Sequence, residues 1–357
     1  MQKRVLITGH NGYIGSVMAP VFAQAGYEVV GLDTGYFNQC TLVPEPISIP
    51  SLTKDIRALS ESDLQGFHAV VHLAALSNDP IGNLDAGWTR QINYEASVRL
   101  AELAKAAGVE RFLFSSSCIM YGMSEVQVVN EDSPLDPRTE YARSKVLAER
   151  AISALAGDGF APTFLRNGTI YGLSPRMRFD TVLNDLVGTA VTTGAVIVHS
   201  DGKPWRPVVH VQDVARAFMT VVGAPVEKVH NQAFNTGSDE LNHQILELAE
   251  VAARAVPGCA VEIKAQAGAD ERTYKADFGK FARTFPDFKF QWTAEKGAQE
   301  LSQAFQSIGL TRKDFTDKRF TRLKWLRYLL DTGQLDGQLC WKQPAEEKAA
   351  ASAGEGL

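Results

Sequence analysis

Cysteine is scarce in this chain, basic charge is outnumbered, and no long apolar run occurs. The four cysteines, Cys40, Cys118, Cys259 and Cys340, are scattered over 357 residues without a Cys-x-x-Cys pair, and no histidine cluster has ligand spacing. This argues against a disulfide scaffold or a structural metal and suits a reducing compartment. Lys and Arg total 36 against 41 Asp and Glu, a net charge of -5 with no Lys/Arg run. Nothing electrostatic therefore invites nucleic acid or a membrane surface. No apolar stretch approaches the ~18 residues that span a bilayer, and Arg4-Val5-Leu6-Ile7-Thr8 opens a strand with no signal peptide ahead of it. The expectation is a soluble cytoplasmic protein that uses no metal, nucleic acid or membrane. What is present is an ordinary globular composition, 45% hydrophobic and 22% charged, able to bury a core. The length suits a large domain plus a smaller one.

Short β-branched runs alternate with helical patterns through the first half. Strands are expected over 4–8, 28–32, 69–73, 111–115 and 162–166, with helices near 14–25, 85–107 and 140–156. Such alternation implies βαβ units and a parallel sheet covered by helices on both faces. After residue 166 a Gly/Pro-rich segment, a helix near 180–193 and a strand near 195–199 suggest an excursion. Val208-Val209-His210-Val211, followed by Asp213-Val214-Ala215, looks like a strand and helix returning to the sheet. Residues 240–256 have an amphipathic helical pattern. The basic-aromatic stretch Lys318 to Leu330 reads as an amphipathic helix docked on the body, and the tail from 343 as disordered.

Three local patterns carry chemistry. Gly9-x-x-Gly12-x-x-Gly15 follows the first strand and opens a helix, a turn that lets backbone approach a pyrophosphate. Asp33 closes the second strand, where it can accept from a ribose diol and repel a 2′-phosphate, favouring NAD over NADP; an Asp that only caps a turn is the alternative. Asp55-Ile56 can offer a carboxylate and an apolar group to an adenine edge, or Asp55 can simply cap the next helix. His72-Leu73-Ala74-Ala75 ends the fourth strand in small residues, as backbone beside a dinucleotide requires. Asn93 is either a polar buttress or an exposed helix residue. Finally, Tyr141-x-x-x-Lys145 puts phenol and ammonium on one helix face, where the ammonium can lower the phenol's pKa, and Ser117 follows an apolar strand. Tyr141 would be the acid/base, and Ser117 would orient the reacting oxygen.

Together these residues resemble the extended short-chain dehydrogenases/reductases of the nucleotide-sugar epimerase/dehydratase family. Ser115-Ser116-Ser117 ahead of Tyr121-Gly122, Leu165-Arg166 with Tyr171-Gly172, Arg206 ahead of Val209-His210-Val211-x-Asp213, and Phe234-Asn235-x-Gly237 continue the likeness. The resemblance implies an α/β fold, a Rossmann-type doubly wound parallel sheet with a smaller C-terminal α/β substrate-binding domain. It would divide the chain into 1–166 plus about 207–237 for NAD, and 167–206 plus 238–340 for a nucleotide sugar. It implies NAD held by Gly9, Asn11, Gly12, Tyr13, Ile14, Gly15, Asp33, Asp55, Ile56, Leu73, Ala74, Ala75, Asn93, Ser115, Tyr141 and Lys145. Substrate would meet Ser77, Ser117, Asn167, Thr169, Arg178, Arg206, Asp270 and Arg272, with Arg206 gripping the diphosphate. A homodimer pairing helices near 90–107 and 141–156 is also implied.

Departures from the family pattern narrow the reaction. Family dehydratases carry Asp-Glu directly after the catalytic Thr/Ser, and decarboxylases keep the Glu; here Cys118 and Ile119 stand there, unable to do that acid/base work. Thr169 stands where many relatives have Asn, and Ala267 where an Arg is common. Arg176, Arg178 and Asp180 are candidates for an unusual sugar, or else solvated loop charges. The expected activity is a redox-neutral epimerase acting through a transient 4-keto sugar. A 4-ketoreductase is the alternative, and a non-catalytic dinucleotide sensor is disfavoured because both Tyr141 and Lys145 are present.

Overall fold

In the computed structural model, which describes residues 2–77, 79–82, 84–122, 128–264 and 273–342, seven strands form one parallel sheet. Across it run Gln232–Thr236, Ala161–Asn167, Arg111–Ser117, Ala69–His72, Arg4–Thr8, Glu28–Asp33 and Ser51–Thr53. The central strands are apolar along their length because helices cover both faces, as all-parallel sheets require. Ala69–His72 is buried at every position. One face packs Met18 and Phe22 of helix Gly15–Gln24 with Val214 and Phe218 of helix Val211–Gly223. The other packs Leu100 of helix Ala96–Ala106 and Ile152 of helix Glu140–Ser153.

Strand order reverses between Arg4–Thr8 and Ala69–His72, so a crevice opens at their carboxyl ends. Thr8 and His72 face each other in register there, and Thr8 Oγ1 and His72 Nδ1 are 2.7 Å apart. The other ring nitrogen is 2.8 Å from Ser97 Oγ. Burial pulls His72 down to about 3, so the imidazole is neutral and ties the sheet to a helix.

The structure corrects three expectations. The strand Trp205–His210 does not rejoin the large sheet. It pairs parallel with Thr169–Tyr171 and antiparallel with Asn242–Gln244 in a separate three-stranded sheet. The helix that follows it does pack on the large sheet, and Gln232–Thr236 supplies the seventh strand. The helix expected over 240–256 starts only at Ile245, because Asn242–Gln244 is drawn into that small sheet. The helix expected over 85–107 is interrupted at Arg90–Glu95 by a π-helical segment, a distortion that recurs at functional sites.

Helices Val182–Thr193, Ile245–Ala255 and Ala294–Ser307 pack around a second core with Val196, Val198 and Phe305. The basic-aromatic stretch folds as helix Arg322–Asp331 and docks Trp325, Leu326 and Leu329 against the core of the large sheet, beside Leu32 and Ile56. Burying side chains of this size stabilises the docked position by roughly 1.5–3 kcal/mol each. Asp270, Arg272, Ala267 and the tail from 343 lie outside the described residues. Among the described residues, no helix is long and apolar enough to cross a membrane, and no group of His, Cys, Asp and Glu could hold a metal.

Candidate functional site

The first wall of the crevice is the glycine turn. Gly9 has φ +74°, and a side chain there would meet the Ala74 nitrogen at 2.7 Å, so the turn lies against the backbone ending the fourth strand. A Cβ at Gly15 would stand 2.3 Å from the Gly9 oxygen. The tight loop thus leaves the start of helix Gly15–Gln24 open to the crevice, a ready place for an anion.

A cleft runs from this turn to the end of the second strand. Gly9, Gly12, Tyr13, Ile14, Gly15, Asp33, Asp55, Ile56, Leu73, Ala74 and Ala75 all line it. Asp33 accepts from the backbone N–H of Gly35 at 2.7 Å and of Asn11 at 3.1 Å. Each carboxylate oxygen keeps lone-pair capacity for a hydroxyl donor. Burial pushes the Asp33 carboxyl up, against those two donors and the charge of His10. Asp55 fulfils the capping role, accepting from Arg57 N at 2.8 Å, while also reaching the cleft.

Two expected cofactor residues act behind the wall. Asn11 does not line the cleft; its N–H holds Asp33 and its side chain donates to Asn38. Asn93 is fully buried and clamps the backbone of Leu76, donating to its oxygen at 3.0 Å and accepting from its nitrogen at 2.8 Å. The buttress, not the exposed-face alternative, is what the fold contains.

A second cleft adjoins the first and shares Tyr13, Ile14, Ser77 and Arg178 with it. Ser115, Ser117, Tyr141, Asn167, Thr169 and Arg206 line it. Ser117 ends its strand and accepts from Ile119 N at 3.3 Å. Tyr141 sits in the first turn of helix Glu140–Ser153, which Thr139 caps by accepting from Ala142 N; the Thr139 hydroxyl in turn donates to Asp79 at 2.6 Å. One turn on, the Lys145 ammonium donates to the Ser115 backbone oxygen at 2.8 Å and stands 5.8 Å from the Tyr141 ring centroid.

The expected depression of the phenol is absent. Burial pushes Tyr141 up to about 12, with Asp79 adding to the rise and Arg178 opposing it. Burial also pulls Lys145 down to about 8, against the charge of Glu149. With its own proton lost near 8, Lys145 is neutral by the pH at which Tyr141 would ionise and adds no positive charge to it there.

Around this cleft several buried polar atoms have no hydrogen-bond partner among the described residues, including Ser116 Oγ and Asn167 Oδ1. Such groups are costly to bury unless something completes them. Arg178 and Asp180 also face the cleft, 2.7 Å apart, and Arg178 reaches Ser77 Oγ at 3.2 Å. They are not solvated loop charges. Arg176, by contrast, turns away to Thr41 and Glu45. Behind the cleft, Arg166 forms a buried pair with Glu149 at 2.7 Å and donates to Tyr121, whose hydroxyl donates to Asn235. Three separate stretches of the sequence motif meet in that network.

Residues 5–237 match the NAD dependent epimerase/dehydratase family. The chain belongs to this family. The UDP-glucose 4-epimerase of Corynebacterium glutamicum is 28% identical over 254 residues, covering 66% of this chain and 76% of that protein. The dTDP-D-glucose 4,6-dehydratase of Mus musculus is also 28% identical, over 238 residues, covering 63% and 66%. Among solved structures, MoeE5 in complex with UDP-glucose and NAD is 27% identical with a TM-score of 0.72, covering 85% of this chain and 99% of that one. This epimerase/dehydratase family is enzymatic, and NAD is its cofactor. Kinship alone leaves the reaction open, since an epimerase and a dehydratase are equally similar.

Within the family frame, the two positions after Ser117 differ sharply in their surroundings. The Cys118 thiol is fully buried, donates to the Arg166 oxygen at 3.1 Å and is pushed far up by burial. Ile119 puts an alkyl group on the cleft wall. Arg322, which the motifs do not include, lines the first cleft from the far C-terminal helix. A signal existed: Arg322, Trp325, Leu326 and Leu329 share i, i+3, i+4, i+7 spacing, so Arg322 lies on the apolar face.

Proposed function

We propose that the protein is an NAD-dependent nucleotide-sugar epimerase acting through a transient 4-keto sugar. The observation that carries this is the pairing of Tyr141 and Ser117 on one cleft with a buried thiol and an alkyl group where elimination would need two acids. The first cleft suits the dinucleotide. Its glycine turn would admit the diphosphate, Asp33 would take the adenosine ribose diol, and Ile56 would meet the adenine; that all of them line one cleft supports this. Bound NAD would supply reversible hydride acceptance from the sugar carbon.

Tyr141 would remove the proton of the sugar hydroxyl at its phenolic oxygen and return it when the alcohol re-forms. Ser117 would donate to the same sugar oxygen and fix its direction. Lys145, held by the Ser115 carbonyl, would anchor the cofactor ribose. Asn167 and Ser116 have unpartnered atoms to offer sugar hydroxyls, and Arg206 suits the nucleotide diphosphate. The arginine–carboxylate pair of the cleft, Arg178 with Asp180, would set which sugar fits.

The test is a screen of UDP- and dTDP-hexoses for epimer formation by the wild-type protein and Tyr141→Phe. Epimer formation slowed by about 10²–10⁴-fold in the variant, with NAD content unchanged, is expected. Steady oxidation of free NADH by a 4-keto nucleotide sugar would instead select a reductase. No epimer formation and no bound NAD(H) would sink the proposal.

A further inference from the structure

Arg322 is only 2% exposed, yet its position is on the wall of the first cleft. Its Nη2 donates to the Arg176 oxygen at 2.6 Å, and its guanidinium stands 4.4 Å from the Phe37 ring. Its Nη1 is buried with no hydrogen-bond partner among the described residues. Charge is unbalanced around it. Arg178 is close enough to disfavour the charged guanidinium, and burial acts in the same direction, bringing Arg322 down to about 10. Asp180 is the nearby carboxylate, accepting from Arg178 Nε at 2.7 Å and from the Arg322 backbone N–H, not its guanidinium, at 3.4 Å. Two guanidiniums against one carboxylate leave an excess positive charge in a buried setting, which is expensive unless an anion completes it.

The helix bearing Arg322 belongs to a segment that wraps the far end of the same cleft. Trp325 Nε1 donates to the Tyr36 oxygen at 2.7 Å, and Trp341 Nε1 to the Thr34 oxygen at 2.6 Å. Arg57, next to Asp55 and Ile56, donates to the Gln338 oxygen at 2.7 Å. Thr34, Tyr36, Asp55 and Ile56 all line the cleft. The C-terminal segment therefore holds the backbone that would carry the adenosine half of the cofactor.

We propose that Arg322 is a ligand for the diphosphate of the bound dinucleotide, delivered by a C-terminal strap that closes the adenosine end of the cleft. This rests on the placement of NAD along the glycine turn given above. A guanidinium with a free N–H beside a cleft is matched to a diphosphate, which it can take through charge-assisted hydrogen bonds. Because Arg322 lines the first cleft and not the second, the diphosphate is that of the cofactor and not that of the nucleotide sugar. Strap docking and dinucleotide binding then reinforce each other, since coupling between two binding events is reciprocal.

Calorimetric titration of nucleotide-freed protein with ADP-ribose, adenosine and UDP tests this in wild type, Arg322→Met and Arg322→Lys. Expected is a loss of roughly 10- to 100-fold in ADP-ribose affinity for Arg322→Met, with adenosine and UDP unchanged. Arg322→Lys, which keeps the charge and the stem, should recover part of it. Amide exchange over 322–341 should slow more when ADP-ribose binds wild type than when adenosine does, and that difference should vanish in Arg322→Met. ADP-ribose affinity within twofold of wild type in Arg322→Met, equal losses for adenosine and ADP-ribose, or a loss confined to UDP would each overturn the role of Arg322. A wild-type protein that binds no ADP-ribose would overturn the placement of NAD itself.

Discussion

Lys145 donates its ammonium to the Ser115 backbone oxygen at 2.8 Å, with the Phe114 ring centroid 4.6 Å away. The lysine is thus held by the strand that ends in Ser117, and it does not lower the Tyr141 phenol, which burial pushes up to about 12. Lowering that phenol takes positive charge brought into the cleft.

Oxidised NAD brings such a charge at the nicotinamide. Saturation with it should lower the titration midpoint of Tyr141 from about 12 by roughly one unit or more, whereas reduced NADH should not. Difference absorbance of the phenolate, wild type against Tyr141→Phe, reads this out. Equal midpoints with both cofactor forms would remove Tyr141 from the nicotinamide's neighbourhood.

Lys145 also leaves a mark on stability. Its native value is about 8 against the ordinary 10.5. Between those values the unfolded chain holds a proton that the native state has released, so raising pH through the window favours the native state. The penalty of the buried charge is fully present below about pH 8. The unfolding free energy of wild type minus that of Lys145→Met should therefore climb by about 3 kcal/mol from pH 7 to above 10.5. Urea unfolding at several pH values measures it, and a flat difference would contradict the buried, charged lysine.

Glu149 serves both Lys145 and Arg166. Glu149→Gln leaves the Arg166 guanidinium buried without its carboxylate and should cost about 3–5 kcal/mol. It also removes the charge that supports the Lys145 ammonium, so the lysine's midpoint should fall further below 8. Thermal unfolding and NMR titration of labelled lysine check the two effects separately.

Gly15 is constrained by crowding, since a Cβ there would lie 2.4 Å from His10 Cα as well as against the Gly9 oxygen. Gly15→Ala should destabilise by roughly 1–3 kcal/mol and abolish measurable NAD binding. Retention of bound NAD through gel filtration is the measurement, and an alanine variant that keeps it would deny the turn its place at the diphosphate.

Leu147 is 44% exposed on helix Glu140–Ser153, with Val98 and Leu103 half-buried along the neighbouring helix Ala96–Ala106. The dimer implied by family resemblance would cover this stripe. Leu147→Asp should convert a dimer to a monomer in light scattering, and a wild-type monomer would remove the idea.

Much of the site is written in short-range sequence. The glycine turn, Asp33 at the end of a strand, and Tyr141 with Lys145 one helical turn apart need only local backbone geometry to be recognised. What local geometry cannot convey is partnership across the chain. Trp205–His210 reads as a strand, yet whether it joins the large sheet or pairs with Asn242–Gln244 depends on edges far away in sequence. Arg176 and Arg178 are two residues apart and chemically alike, but one turns to Glu45 and the other to the cleft.

By itself the sequence determined the class of fold, the glycine turn and the helix-face spacing of Tyr141 and Lys145, because steric periodicity and residue spacing act over a few residues. Only the tertiary structure decided how burial shifts Tyr141 and Lys145 and which residues line the two clefts. Burial raises Tyr141 and lowers Lys145, and a helix some three hundred residues from the glycine turn brings Arg322 to the same cleft. Desolvation and charge pairing act through space, and spatial neighbours exist only once the chain has closed on itself.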